Sequence, residues 1–322
     1  MKLEWQMIAG VDVGGTKTHI LVERQDGSRA EHVLETSRWR ERGELEDARS
    51  LAELVLAVEG GQPDVVVVGA RGCDADADCL RLQTLLSQHF SGLVLVLNDS
   101  ELLLPAASKP TGISVIAGTG SIAVTRNHHR EMMSAGGWGW FLGDEGSASG
   151  LVRDAARKVR LSLDAGSPID SLGKALLDTL QVQSPVEFGR ALSRLGSADR
   201  IGALAPLVFD AAASGSRIAD EVIAEGGDAL AFLVEQLAKR GAPTDAVVTA
   251  GGVISRQERL LEAFRAALIR RVPGAAVTLL GEPPVVGAIK LARLLSEGGA
   301  TQTLPTPHRA GRPDTNQPGR MA

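Results

Sequence analysis

The 322-residue sequence predicts an α/β fold of two related domains, each a mixed β-sheet covered by helices, and three observations point there. The length exceeds what one hydrophobic core usually serves. A unit of strand, glycine turn and strand opens the chain near Met7 and recurs near Ile113, as a duplication would leave it. After each of these hairpins, apolar runs of strand length alternate with helical stretches, which combines antiparallel and parallel pairing in one sheet.

Residues 7–13 form an apolar run, Gly14-Gly15 a turn, and residues 17–23 carry apolar side chains at alternate positions; together they make a hairpin. Asp26-Gly27 turns the chain into a third strand at 29–34. A helix over 45–58, a strand at 64–69, a helix over 78–89 and a strand at 92–97 follow from the change of period. The second half begins with a strand at 113–117, the turn Gly118-Thr119-Gly120 and a returning strand at 121–126. Several helices are expected between 149 and 239, then a strand at 246–249, a helix over 255–271, a strand at 275–280 and a helix over 285–295. The expected division is a first domain over 1–110, a second with a helical insertion over 111–283, and a helix over 284–297 that returns to the first. Facing sheets would set their glycine turns across a common cleft.

Composition narrows the function. Hydrophobic residues make up 44% and charged residues 23%, with 37 Gly and no Tyr, an ordinary soluble composition rich in tight turns. The net charge of -5 comes with no long basic run, which argues against nucleic acid as a partner. Cys73 and Cys79 are too few for a disulfide scaffold or a four-thiolate metal site, and reduced thiols in the cytoplasm are expected. The first residues reach charge before any apolar run, unlike a signal peptide, and no segment approaches a membrane span. From Gly298 to residue 322 the chain is rich in Pro, Thr, Arg and Gly without hydrophobic period, so a structureless tail is expected.

The stretch from Asp12 to Thr18 looks at first like a nucleotide P-loop, but Thr16 separates Gly15 from Lys17 and a strand follows instead of the required helix. The chemistry of phosphate binding survives that difference. Glycines bring backbone N–H groups close to phosphate oxygens, with a hydroxyl and an ammonium alongside. Gly14-Gly15 alone is equally a plain hairpin turn; Gly118-Thr119-Gly120-Ser121 at the matching place in the second half, and Gly251-Gly252 between a strand and a helix, make three such turns. Phosphoryl transfer also needs a carboxylate to orient and deprotonate an attacking hydroxyl, and a magnesium ion between phosphates. Asp99, just after the strand ending at Leu97, suits the first task. Asp12, at the end of the first strand, suits the second through metal-bound water. An isolated Asp more often merely caps a strand end.

These residues resemble the sugar kinase, heat-shock-protein-70 and actin superfamily, and within it the branch of N-acetylglucosamine kinase and the BadF/BadG/BcrA/BcrD ATPases. The resemblance covers about residues 7–296. Its most specific stretch is Gly136-Gly137-Trp138-Gly139 followed by Gly143-Asp144-Glu145-Gly146-Ser147. It implies duplicated ribonuclease-H-like (actin-like ATPase) domains and ATP-dependent phosphorylation of an amino sugar, N-acetylglucosamine or glucosamine, with ATP and Mg²⁺ as cofactors.

Carried over by residue, the resemblance implies that Gly14, Gly15, Thr16, Lys17, Gly118, Thr119 and Gly120 hold ATP phosphates, with Thr16 and Thr119 in contact. Gly251, Gly252 and Ser255 would lie near the adenosine, and Asp99 would be the catalytic base. Trp39, Ser121, Gly136, Gly137, Trp138 and Asp144 would receive the sugar, Trp140 being the better candidate for core packing. Two departures stand out: Thr36-Ser37-Arg38-Trp39 replaces Thr-Asn-His-Trp, and Ile122 follows Ser121 where relatives have Asn. Both touch the acceptor side and leave the phosphoryl chemistry intact. The expected partner is a small sugar, with neither nucleic acid nor membrane; a homodimer is compatible with the sequence.

Three other functions fit the same fold. A BadF-type ATPase that activates a partner enzyme would need cysteines for an iron–sulfur cluster, and Cys73 and Cys79 sit away from the glycine turns. A non-catalytic sugar sensor would need a DNA-binding extension and no Asp99. A glucokinase of the neighbouring bacterial family would carry a cysteine-rich zinc motif and a Glu-x-Gly-His run, both absent from the sequence.

Overall fold

A computed structural model describes residues 5–40, 43–299 and 304–309. In chain order its strands are β1 (Met7–Val13), β2 (Lys17–Arg24), β3 (Arg29–Glu35), β4 (Val65–Ala70), β5 (Leu93–Leu97), β6 (Ile113–Ala117), β7 (Ser121–Arg126), β8 (Met132–Gly136), β9 (Val247–Ala250), β10 (Val277–Leu279) and β11 (His308–Arg309). The helices are α1 (Glu44–Glu59), α2 (Asp76–Leu86), α3 (Leu103–Ala106), α4 (Ala148–Asp164), α5 (Ser171–Thr179), α6 (Phe188–Ser193), α7 (Ala198–Gly202), α8 (Ala205–Ala213), α9 (Arg217–Lys239), α10 (Glu258–Arg271) and α11 (Val285–Ser296).

Two compact units result. The first takes the described residues up to Ser108, then His128–Met132 and those from Glu282 on; the second takes Lys109–Asn127 and Met133–Gly281. The first sheet runs β11-β5-β4-β1-β2-β3 and the second β10-β9-β6-β7-β8. Leaving β11 aside, the two orders are the same, which is the duplication written in topology. In each, a hairpin opens the sheet (β1 with β2, β6 with β7) and a parallel strand joins the hairpin's first strand (β4 on β1, β9 on β6).

The central strands of the first sheet are buried on both faces by their period-two alternation. Ala9, Val11, Val13, Val66, Val68 and Ala70 pack with Leu51 and Val55 of α1 and Leu86 of α2. Ile8, Val65, Val67, Leu95 and Leu97 pack with Val285, Ala288 and Ile289 of α11. Gly10 lies on this second face because α11 runs too close for a side chain: a Cβ there would stand 2.8 Å from the Ile289 nitrogen. Asp12, next in the same alternation, therefore points to the same side as Ile8 and Gly10, at the strand's end.

Register then sets the working edge. Asp12 pairs with Gly69 and Gly69 with Leu97, so the carboxyl ends of three parallel strands finish side by side. In open α/β sheets that edge is where ligands bind. The second unit has one core, in which Ile113, Val115, Ala123 and Val247 of the sheet meet Leu151 of α4, Leu230 of α9 and Phe264 of α10.

Several boundaries differ from the sequence reading. The helix expected over 255–271 starts at Glu258, because Gly251 to Arg256 forms turns. The helix expected over 78–89 occupies Asp76–Leu86, and β8 was not anticipated. The tail expectation is corrected in part: His308–Arg309 adds an antiparallel strand against β5, and the Thr306 carbonyl accepts from Gln83 Nε2 at 3.1 Å. Edge pairing gives this short polar piece order that its composition did not foretell. Residues 310–322 and 300–303 of that expected tail lie outside the described residues. Among the described residues, no helix is long and apolar enough to cross a membrane.

Candidate active site

In the first unit, the chain leaves β1 through Gly14-Gly15-Thr16 and returns as β2. The turn is closed by Gly14 N donating to the Lys17 carbonyl at 2.9 Å. Behind it runs a chain of hydroxyls that the sequence did not single out. Trp39 Nε1 donates to Thr18 Oγ1 at 3.0 Å, Thr18 Oγ1 lies 3.0 Å from Thr36 Oγ1, and Thr36 Oγ1 donates to the Gly14 carbonyl at 3.0 Å. Thr36 N also donates to the Thr16 carbonyl at 3.0 Å. Thr16 and Lys17 themselves are exposed.

Trp39 also braces the turn. It is 6% exposed and its N–H is spent on Thr18, so it offers no polar group to a sugar. Its ring borders a pocket of about 120 Å³ together with Val13, Arg40, Ala70, Gly72 and Cys73.

Asp99 follows β5 at the start of a short 3-10 turn (Asp99–Leu102) capped by Asn98, whose side chain accepts from Ser100 N at 3.0 Å. Asn98 Nδ2 in turn donates to Asp74 Oδ1 at 3.0 Å and to the Cys73 carbonyl at 3.2 Å. The turn can sit against β4 because residue 69 is glycine. A Cβ on Gly69 would stand 2.5 Å from Leu102 Cδ1 and 3.2 Å from Asp99 Cα.

The two carboxyls share one environment. Burial, and after it the charge of Asp99, push the Asp12 carboxyl up to about 7. Burial pushes Asp99 up to about 6, opposed by the Ser100 amide and by the charges of Arg71 and Arg40, while Asp74 adds to the rise. Two partly buried carboxylates with raised proton affinities suit a site completed by a cation. Asp12 fits Mg²⁺ as a single carboxylate working with water and phosphate oxygens, the usual arrangement for that ion. The described residues contain no group of three acidic, histidine or thiol ligands that would hold a metal alone.

In the second unit, Gly118-Thr119-Gly120 turns β6 into β7. The N-terminus of α4 docks on it: Ala148 N donates to the Gly118 carbonyl at 2.8 Å and Ser149 Oγ to the Thr119 carbonyl at 2.8 Å. Asp144 is 7% exposed, adopts φ +61°, and Oδ1 accepts from Ser121 N at 3.2 Å. A Cβ on Gly120 would stand 2.8 Å from Asp144 Oδ2, so glycine there and Asp144 are a matched pair. Ser121 Oγ donates to the Glu145 carbonyl at 2.8 Å.

The third glycine turn belongs to the same place. Gly251 adopts φ +125°, and a Cβ on it would stand 2.4 Å from the Ala117 carbonyl oxygen, the residue just before the second turn. Val253 N and Ile254 N donate to that carbonyl at 3.3 and 3.2 Å. Ser255 is exposed and its N–H donates to the Gly251 carbonyl at 3.1 Å. Gly118, Thr119, Gly120, Ser121, Asp144, Gly251 and Gly252 therefore converge within one unit.

Gly136, the last residue of β8, and Gly137 after it have φ +79° and +75°, and Gly137 N donates to the Ser121 carbonyl at 2.9 Å. Beyond them Trp138 is 74% exposed, whereas Trp140 packs partly against the core. In the first unit the structure brings together Asp12, Gly14, Gly15 and Asp99. Thr18, Thr36, Arg71, Arg40 and Asn98 join them unannounced, since each acts through a contact distant in sequence.

The profile of the BadF/BadG/BcrA/BcrD ATPase family matches residues 9–290. The chain belongs to that family. It is 28% identical over 300 residues to the N-acetylmuramic acid/N-acetylglucosamine kinase of Clostridium acetobutylicum, covering 89% of this chain and 98% of that one. It is 26% identical over 311 residues to the N-acetyl-D-glucosamine kinase of Dictyostelium discoideum, with the same shares covered. Among solved structures, a ROK family glucokinase from Streptomyces griseus superposes with a TM-score of 0.59 at 19% identity, over 89% of this chain and 98% of that one. That likeness bears on the fold, and it agrees with the family: two mixed α/β sheets of the actin-like ATPase type.

Proposed function

We propose that the chain is an ATP-dependent kinase that transfers the γ-phosphate to a hydroxyl of an amino sugar, N-acetylglucosamine or glucosamine first among the acceptors. One observation carries the reading: Asp99, with its proton affinity raised toward neutrality, stands on the same strand edge as Asp12 and the braced glycine turn. A carboxylate of that basicity is ionised at neutral pH and still takes a proton from an attacking hydroxyl as it loses its charge. The names of the two kinase relatives support the acceptor class.

In this reading Thr16 and Thr119 contact phosphates, beside Gly14, Gly15, Lys17, Gly118 and Gly120. Gly251, Gly252 and Ser255 form the adenosine side. Mg²⁺ would be held at Asp12, where it supplies charge neutralisation between phosphates. Ser121, Gly136, Gly137, Trp138 and Asp144 serve the acceptor, with Asp144 also fixing the second glycine turn. Activation of a partner enzyme through a shared iron–sulfur cluster finds no support: both cysteines are buried, with Cys79 Sγ 3.5 Å from the Cys73 carbonyl.

A coupled assay of ADP release with N-acetylglucosamine, glucosamine, N-acetylmannosamine, N-acetylmuramic acid and glucose, with mass analysis of the products, tests the proposal. An amino sugar should raise ADP release and appear as its monophosphate. ATP turnover indifferent to every sugar, with no phosphosugar formed, refutes it.

A further inference from the structure

The chain leaves β4 through Arg71-Gly72, and the backbone there is held on two sides. Arg71 N donates to the Val13 carbonyl at 2.9 Å, and Arg40 Nη2 donates to the Arg71 carbonyl at 2.6 Å. Gly72, at φ +88°, takes the chain away. From this fixed root the Arg71 side chain crosses to the first glycine turn, where Nη1 lies 1.6 Å from the position a Cβ on Gly15 would occupy. Its root is two residues from Gly69, the glycine on which Asp99 rests, and its charge is felt at the Asp99 carboxylate. The guanidinium is therefore set between the turn of backbone amides and the base.

Among the described residues, that guanidinium has neither a hydrogen bond nor an ion pair, although the side chain is anchored at its root. Arginine carries five donors in a planar fork that matches carboxylate or phosphate oxygens. An unpaired fork placed over a phosphate-type turn and beside Asp99 can take an anion there.

We propose that Arg71 is a further catalytic residue, donating to the γ-phosphoryl oxygens of ATP during transfer; this rests on the kinase reading above. The acceptor oxygen forms its bond to phosphorus as the bond to the β-phosphate oxygen breaks. ADP leaves with that electron pair, and the acceptor proton passes to Asp99. Arg71 stays protonated throughout and exchanges nothing. Its contribution is a fixed positive charge beside the oxygens that rearrange, needing no reorganisation at the moment of reaction. Arginines in that role are worth roughly 10³-fold or more in turnover.

The test uses R71M and R71K in the full chain, with thermal unfolding to confirm an unchanged fold at this exposed position. With ATP and N-acetylglucosamine, kcat should fall about 10³-fold in R71M with acceptor KM nearly unchanged, and R71K should recover only part, since an ammonium lacks the fork. Calorimetry in Mg²⁺ reads the contact without any acceptor. R71M should bind ADP like the wild type but the β,γ-imido analogue of ATP about tenfold more weakly, the size of one charge-assisted hydrogen bond. A wild type that phosphorylates no sugar would sink the kinase reading and leave the calorimetric comparison to decide this one. Equal affinities of R71M and wild type for both nucleotides overturn the proposal. So does an R71M that keeps N-acetylglucosamine turnover and loses only N-acetylmuramic acid, which would assign the guanidinium to a carboxylate on the acceptor.

Discussion

Replacing Thr36 by valine removes one hydroxyl and leaves the shape, and the structure says what that hydroxyl does. It is the middle member of the chain from Trp39 through Thr18 to the Gly14 carbonyl. Because Thr36 donates to Gly14, Thr18 must donate to Thr36, and the T36V change would cut both bonds at once. Each is worth about 1 kcal/mol net. The Gly14 carbonyl belongs to a partly exposed residue and can turn to water, but Thr18 is fully buried, and its stranded O–H adds about 1 kcal/mol more. The total is about 2–3 kcal/mol, or a loss of roughly 5–10 °C in the melting of a unit of this size. Urea unfolding of T36V, followed by far-ultraviolet circular dichroism, measures it, and the ATP KM should rise several-fold as the turn loosens while the backbone bond from Thr36 N remains. The double variant T18V/T36V should cost less than the two single changes added together, since removing both partners leaves one orphan fewer. Stability of T36V within about 0.5 kcal/mol of wild type, the level of an ordinary surface change, would refute the bracing role.

Four other outcomes can be checked together. D99N should lower kcat about 10²–10⁴-fold while ATP binding by calorimetry stays close to wild type; undiminished sugar turnover would remove Asp99 from the mechanism. A general base works ionised, and the Asp99 pKa is raised to about 6; on the proposed role kcat/KM for the sugar should be level above pH 7 and fall tenfold per unit below 6, and a profile flat down to pH 5 contradicts the assignment. G251A places a Cβ 2.4 Å from a backbone carbonyl at φ +125°, neither of which can relax; it should cost about 2 kcal/mol or more of second-unit stability and raise the ATP KM, and a wild-type melting curve argues against that turn's rigidity. T119V should raise the ATP KM more than the sugar KM, and the reverse order would reduce the second turn to a plain hairpin.

The amino-acid sequence by itself determined the two sheets, their shared hairpin opening and the places of the three glycine turns. Period-two and helical periodicity are local, and a glycine pair between strands has few other readings. The positions of Asp12 and Asp99 were legible for the same reason, each lying at the end of an apolar strand that could be located. Partnership was not legible. That burial and, after it, the charge of Asp99 raise Asp12, that Gly120 is the space for Asp144, and that Gly251 rests on Ala117 depend on strand register and on sheet order. These are decided by which apolar faces bury together, over separations no sequence window spans. Trp39 is the instructive case: its place in a stretch resembling an acceptor motif suggested a sugar contact, whereas packing of the first core turned it inward and gave its N–H to Thr18. Arg71 is the converse, an unmarked residue after β4 that only the side-by-side ending of β1, β4 and β5 brings between the glycine turn and Asp99.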